Sequence, residues 1–285
     1  MQEIPRLGLG TYENDDPEQC ADSVSTALDA GYRHVDTAQS YGNEAAVGDG
    51  LAASDVPRDD VFVATKLATE NLAYDDAVET ARESAERLGV AESRSDSSAS
   101  QNASRSGDAD TIDLLYVHWP IDSYDPEETI AALNDLHADG VVDAVGLSNF
   151  RVDQLDAAIE RLDPPLAAHQ VECHPMLPQD ELRAHAVEHD YALVAYSPIA
   201  RNQVADVEVL QEIAAAHDAS PAQVSLAWLL SKENVVAIPK ATSEAHIRDN
   251  WAARELDLDD EELAAIDEID ERHRVVDFDA APWNR

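Results

Sequence analysis

The chain reads as one α/β domain, a (β/α)8 TIM barrel with a parallel eight-stranded core and extra C-terminal helices, spanning residues 1–285. Three observations predict this. Eight short apolar runs alternate with segments of helical periodicity. The runs are almost continuously apolar, as in a parallel sheet covered on both faces. The length of 285 residues is also about what eight βα units require. A doubly wound open sheet is the alternative, but no GxGxxG fingerprint follows the first run.

The elements follow in order. A buried strand is expected at 7–10, then a helix at 17–30 that opens on Pro17 and stops at Gly31. A strand at 34–36 precedes a helix at 43–53. A strand at 61–64 precedes a helix at 75–88 that ends before Gly89. The run IDLLYV at 112–117 is the fourth strand, followed by a helix at 126–138. Strands at 143–146, 168–171 and 192–195 precede helices at 152–162, 179–189 and 207–216. A helix at 221–231, a strand at 235–238 and closing helices at 243–253 and 260–269 complete the pattern. The segment 91–110 (AESRSDSSASQNASRSGDAD) has no large apolar residue to offset its ordering entropy, so a disordered insertion is expected there. In a barrel it would lie on the N-terminal face, opposite the usual site of catalysis.

Composition narrows the function. The formal net charge is −40. Such self-repulsion destabilises a compact chain in dilute buffer. Molar salt shortens the Debye length to about 3 Å and removes most of it. The expectation is a salt-adapted, halophilic protein. With 44% hydrophobic residues and clear periodicity, an acidic disordered chain is disfavoured. Nucleic acid and anionic membranes are not expected partners. The start lacks an apolar signal-peptide core, and no apolar run reaches the roughly 20 residues of a membrane span, so a cytoplasmic protein is expected. Cys20 and Cys173 are too few for a disulfide framework or a zinc site. Asn102 opens a glycosylation sequon that is read as chance without export.

Lysine is almost absent: Lys66, Lys232 and Lys240 stand against sixteen arginines and fifty-nine acidic residues. Lys66 and Lys240 fall where a strand is expected to end, where barrel enzymes keep their chemistry. Lys232 reads as an ordinary surface residue. The other expected strand ends carry VDTAQSYGNE (35–44), LLYVHWP (114–120), VGLSNF (145–150), QVECHP (170–175), YSP (196–198) and IPK (238–240).

With these motifs in this order and spacing, the chain resembles the aldo-keto reductase family from Ile4 to about Asn250, apart from the insertion. The resemblance implies a catalytic tetrad of Asp36, Tyr41, Lys66 and His118, and reduction of small aldehydes or ketones with a small-molecule carbonyl substrate as partner. Carbonyl reduction needs a hydride on carbon and a proton on oxygen. A tyrosine hydroxyl is a plausible acid, but its free pKa is about 10. A nearby ammonium is expected to pull it down toward working pH. Asp36 would keep Lys66 charged, and His118 would hold the carbonyl oxygen. Taken alone, Asp36 reads as a turn former, His118 as a core histidine and Tyr41 as packing at the barrel mouth.

The resemblance also implies NADPH or NADH as cofactor. Ser148, Asn149 and Gln170 would hold the carboxamide, with Tyr196 against the nicotinamide face. Ser197, Ile199 and Arg201 would follow the pyrophosphate. Ser148-Asn149 also reads as a helix cap before Val152. The family's NADP pattern near the adenosine, Lys-Ser with Arg six residues after the Lys, here reads Lys240, Ala241 and His246. A neutral imidazole cannot fork onto a 2′-phosphate as a guanidinium does. Thr242 is one position late, and Asp249 and Asn250 match adenine contacts. Relaxed preference between NADH and NADPH is expected, unless Arg248 swings in. Tyr12, His118 and Trp119 match substrate-pocket positions. Leu67-Ala68 lacks a common aromatic wall, Phe278 and Trp283 lie on a short tail, and an open site and a monomer are expected. A cofactor-binding redox sensor with slow turnover is the second reading. A metal-dependent hydrolase is the third; Glu172 and His174 are the only close pair for it at the strand ends, and no metal is expected.

Overall fold

The computed structural model describes residues 3–90 and 111–284; the expected disorder at 91–110 lies outside the described residues. Eight parallel strands run in sequence order: β1 (Leu9–Gly10), β2 (His34–Asp36), β3 (Phe62–Leu67), β4 (Leu114–Val117), β5 (Val145–Ser148), β6 (Ala168–Glu172), β7 (Ala192–Tyr196) and β8 (Val235–Ala237). Parallel bridges Leu7–Ala237 and Gly10–Lys240 bring β8 back onto β1. This is the expected (β/α)8 barrel.

Around it lie α1 (Pro17–Ala30), α2 (Glu44–Ala53), α3 (Tyr74–Arg87), α4 (Pro126–Ala138), α5 (Val152–Ile159), α6 (Asp180–Glu188), α7 (Glu208–Ala216), α8 (Pro221–Ser231), α9 (Glu244–Ala252) and α10 (Asp260–Asp267). Their starts are written locally. Asp16, Asp125, Ser220, Ser243 and Asp259 each accept a first-turn N–H, satisfying donors the helix leaves open. No described helix is long and apolar enough to cross a membrane.

Side chains alternate along each strand, so every second residue faces the barrel axis. Phe62, Ala64, Leu114, Tyr116, Ala144, Ala168, Val194, Val236 and Ile238 fill the interior as one buried cluster. Gly146 makes room for Tyr116: a Cβ there would stand 2.5 Å from the Tyr116 ring. Asp36, Lys66, Gln170 and Tyr196 continue the same inward rows toward the C-terminal ends of their strands, so the interior packing positions the polar site above it.

Several boundaries differ from expectation. The first strand is two residues long, with Leu7 joining only as an isolated bridge to Ala237, and Gly10 passes close to the residues after β8: a Cβ there would meet the Ile238 carbonyl at 2.7 Å. β5 slides two residues later, so Ser148 lies in the strand opposite Gln170. β3 runs on through Lys66, which pairs in register with Tyr116, so Lys66 is a strand residue and not a loop residue. Lys232 is no ordinary surface residue. Its Nζ donates to both Asp267 oxygens at 2.6 and 2.8 Å and sits 4.9 Å from the Trp228 ring centre.

Candidate active site

The inward rows of β2 and β3 place an acid and a base side by side under the barrel mouth. Lys66 Nζ donates to Asp36 Oδ1 at 2.5 Å and to the Thr37 carbonyl at 2.7 Å. Gln170 Nε2 donates to Asp36 Oδ2 at 2.7 Å. Both ions are buried, with side-chain exposures of 0% and 2%. Two unpaired charges at that depth would each cost several kcal/mol, so each requires the other.

Tyr41 closes a short 3-10 turn, Gln39–Tyr41, that ends on left-handed Gly42. Lys66 Nζ lies 5.1 Å from its ring centre, and the His118 ring centre lies 5.7 Å from it. Ser40 Oγ contacts His118 Nδ1 at 3.2 Å. Other residues of the 35–44 motif, which sequence reasoning left without roles, fix this turn. Gln39 Nε2 donates to the Thr80 carbonyl and Ser84 Oγ, while its Oε1 accepts from Ala68 N–H and Asn71 Nδ2. Asn43 accepts from Thr37 Oγ1 and donates to the Thr11 carbonyl. Buried Glu44 accepts from Thr65 Oγ1 at 2.6 Å and from Arg87 Nε at 2.8 Å. Their signal in the sequence was polarity in a stretch that buries itself.

The electrostatics depart from one expectation. Burial, and then the Asp36 charge and the neighbouring Tyr196 and Tyr12 phenols, hold the Tyr41 hydroxyl well above its ordinary value. The ammonium, 5.1 Å from the ring centre, does not bring it down to working pH, because burial of the phenol is the larger effect. Burial also lowers Lys66, with Asp36 opposing. Burial and the Lys66 charge hold His118 well below its ordinary value. The site therefore presents a protonated phenol and a neutral imidazole. In the tautomer whose Nδ1 accepts from Ser40, that imidazole presents Nε2–H as a donor.

Four expected carboxamide and ring contacts form one network. Ser148 Oγ donates to the Gln170 carbonyl at 2.9 Å, and Asn149 Nδ2 donates to the His118 carbonyl at 3.0 Å and to Ser148 Oγ at 2.9 Å. Tyr196 Oη donates to Asn149 Oδ1 at 2.9 Å. Asn149 is left-handed, with φ 65°. Ser148 and Asn149 do not cap α5; Arg151 stands at the cap, and its N–H is taken by Gln154 Oε1.

After β7, Ser197, Ala200, Arg201 and Asn202 all have positive φ, and half-buried Ile199, at φ −113° and ψ 16°, makes the negative-φ step before the run at 200–202. Such a step turns backbone N–H groups toward one point, as in anion cradles. The Arg201 guanidinium lies 3.7 Å from Glu13 and 5.8 Å from the Tyr12 ring centre, linking this loop to the one after β1. Further round, Lys240 and His246 are exposed, Thr242 and Asp249 are half-buried and Asn250 is buried. Arg248 is paired with Glu244 at 2.8 Å, and Asp249 accepts from Ser220 Oγ at 3.1 Å.

On the substrate side Tyr12 is 47% exposed and packs edge-on to Tyr41 at 5.2 Å. Trp119 is covered by the C-terminal tail: Phe278 and Trp283 lie 5.0 and 5.5 Å from its ring centre. The tail is tied down by Glu172, whose carboxylate accepts from Val275 N–H at 2.6 Å, Val276 N–H at 2.8 Å and His174 Nε2 at 3.0 Å. Burial would raise the Glu172 carboxyl, but these bonds outweigh it and hold it below its ordinary value. Glu172 and His174 thus form an anchor rather than a metal pair. A cavity of about 590 Å³ opens beside the site at Asn149, Val171 and Trp283, and none of the four tetrad residues lines it.

The family model described as the Aldo/keto reductase family matches residues 6–271. An aldo-keto reductase of Mycolicibacterium vanbaalenii is 38% identical over 272 residues, covering 95% of this chain and 90% of that protein. A methylglyoxal reductase of Escherichia coli O157:H7 is 35% identical over 276 residues, covering 96% of each. The crystal structure of a Bombyx mori aldo-keto reductase in complex with NADP superposes with a TM-score of 0.84 at 30% identity, covering 98% of this chain and 93% of that one. With the motif order, the barrel and the strand-end cluster in agreement, the chain belongs to the aldo/keto reductase family.

Proposed function

We propose that this protein reduces small aldehydes or ketones to alcohols with NAD(P)H, and that Tyr41 gives the proton. The observation that carries the reading is the arrangement of a protonated phenol and a neutral imidazole over a buried Asp36–Lys66 pair.

The chemistry of the donors fits a nicotinamide dinucleotide. A carboxamide needs hydroxyl and amide partners, and Ser148, Asn149 and Gln170 supply them from adjacent strand ends. Tyr196 would cover the ring, and the left-handed run at 200–202 with Ser197, Ile199 and Arg201 would follow the phosphates. When bound, the reduced cofactor supplies the hydride that goes to the carbonyl carbon. Tyr41 Oη–H and His118 Nε2–H would hydrogen-bond the carbonyl oxygen. As charge gathers on that oxygen, Tyr41 transfers its proton there, and the nearby Lys66 ammonium steadies the phenolate left behind until solvent reprotonates it.

Relaxed cofactor preference is part of the proposal. Lys240 is exposed at its end of the site, Ala241 has no hydroxyl, and Ser243 spends its own on capping α9. Arg248 is engaged by Glu244, which opposes its swinging in. The substrate is read as small because Trp119, Phe278 and Trp283 narrow the mouth from one side while Ala68 adds no wall on the other. Methylglyoxal and related short dicarbonyls are the first candidates, given the relative named for that activity.

The test is oxidation of NADPH and NADH against a panel of short aldehydes, ketones and dicarbonyls in molar KCl. Saturable turnover supports the reading; tight cofactor binding with negligible turnover across the panel contradicts it and favours a sensor. Salt adaptation is read from the charge of −40. A fold that persists unchanged in low-salt buffer without divalent cations contradicts that part.

A further inference from the structure

We propose that the outer helical ring carries a site for a transition-metal dication of the zinc type, built from Asp156 of α5 with His185 and His189 of α6. The spacing comes from α6 itself. His189 follows the last helical turn, and its N–H donates to the His185 carbonyl at 3.0 Å. Residues four apart share a helix face, so the two imidazoles are neighbours, with ring centres 4.1 Å apart. Asp156 reaches across from α5, and one ligand atom from each of the three residues lies within 4.8 Å of the others.

The distances suit a small dication. His185 Nε2 and Asp156 Oδ1 are 3.0 Å apart. Two ligands bonded at about 2.0–2.2 Å to one ion stand roughly 3 Å apart. His189 is exposed and stacks on the His185 ring, and one of its nitrogens already lies within 4.8 Å of the other two ligand atoms. The buried member is already oriented: His185 Nδ1 contacts the buried Tyr191 hydroxyl at 2.7 Å. Metal-bound histidines are commonly fixed in this way through the other ring nitrogen. In the tautomer with Nδ1–H donated to Tyr191, His185 Nε2 would offer a lone pair to an ion held between it and Asp156 Oδ1. Two imidazoles and one carboxylate favour zinc-like ions over magnesium or calcium, which take oxygen ligands. Asp156 also lines the cavity at Asn149 and Trp283, which leaves a way in for the ion and room for water as a fourth ligand. None of the three residues belongs to the proposed reductase site, so the inference stands whether or not that reading does. A bound ion would clamp α5 to α6.

The test uses the full chain, stripped with chelator and held in KCl with millimolar Mg2+ to occupy ordinary surface carboxylates. Co2+ is titrated by its visible absorption and then displaced by Zn2+. One saturable site is expected, with a melting temperature that rises on Zn2+ addition. His189→Ala, which touches no core, should abolish both signals. Tyr191→Phe should weaken binding by about 10–100-fold. No saturable binding in the wild type, or equal binding in His189→Ala, overturns the proposal and leaves Tyr191–His185–Asp156 as a plain hydrogen-bonded tie between helices.

Discussion

Lys66 Nζ and Asp36 Oδ1 meet at 2.5 Å inside the barrel, with almost no exposure to solvent on either side. The pair is held by register, since β2 sets Asp36 against Ala64 and β3 carries Lys66 two residues on. The remaining Asp36 oxygen is taken by Gln170, so the same carboxylate joins the ammonium to the expected carboxamide contacts.

Removing one member should therefore cost more than removing both. Lys66→Met leaves a buried carboxylate without its counter-ion, a loss of about 3–5 kcal/mol. Lys66→Met combined with Asp36→Asn should recover part of that stability while activity stays lost. Denaturant midpoints of the two variants check this; a double variant no more stable than Lys66→Met contradicts it.

Glu172 should govern the tail. Glu172→Gln keeps the size but removes the charge that receives Val275, Val276 and His174. Trypsin should then cut faster at Arg272 and Arg274, and KM for aldehydes should rise several-fold while kcat changes less, because Phe278 and Trp283 lose their seat over Trp119. An unchanged cleavage rate would show that the tail holds by its aromatic contacts alone.

The barrel was legible because its strands are short, apolar and regularly spaced, and because Pro17, Gly31 and Ser220 mark helix ends locally. Lys66 stands out because lysine is scarce and it falls where a strand is expected to end; Asp36 and His118 are singled out only by the family motifs, since alone they read as a turn former and a core histidine. The rest depends on contacts distant in sequence. Gly10 meets the Ile238 carbonyl across the barrel closure, Lys232 at the end of α8 finds Asp267 of α10, and Glu172 finds a tail about a hundred residues away. The Tyr41 pKa direction was missed because spacing shows the ammonium but not the depth at which the phenol sits.

Acid should destabilise the fold through a buried histidine. Burial lowers His34 from its ordinary 6.5 to about 4, with Asp36 and the Pro5 carbonyl opposing. Between those values the unfolded chain takes a proton that the folded chain refuses, so stability is full above about pH 6.5 and falls as pH drops toward 4. The loss approaches roughly 3 kcal/mol. His169, lowered from 6.5 to about 3, adds a second loss that begins in the same range and continues down toward pH 3. Denaturant midpoints in molar KCl, with the His34 ring followed by NMR, check this. A ring that protonates near pH 6.5 in the folded protein contradicts it.

Cofactor preference should be adjustable at one exposed position. His246→Arg restores a fork for a 2′-phosphate on the first turn of α9 without touching the core. The kcat/KM ratio of NADPH to NADH should rise about tenfold. A wild-type ratio already above about a thousandfold in molar KCl, or no change in the variant, contradicts the relaxed-preference reading.

The most direct measurement compares the wild type with Tyr41→Phe in the reduction of a short aldehyde, with cofactor affinity measured alongside by fluorescence titration. The account predicts that the variant loses about 10²–10⁴-fold in kcat, as removal of a general acid does, while binding the cofactor nearly as well. No alkaline fall in the wild-type rate below about pH 10 should come from loss of the Tyr41 proton, because burial holds it above its ordinary value; a fall there belongs to Lys66, whose own proton burial loosens. A Tyr41→Phe enzyme that reduces the aldehyde at the wild-type rate would contradict the account.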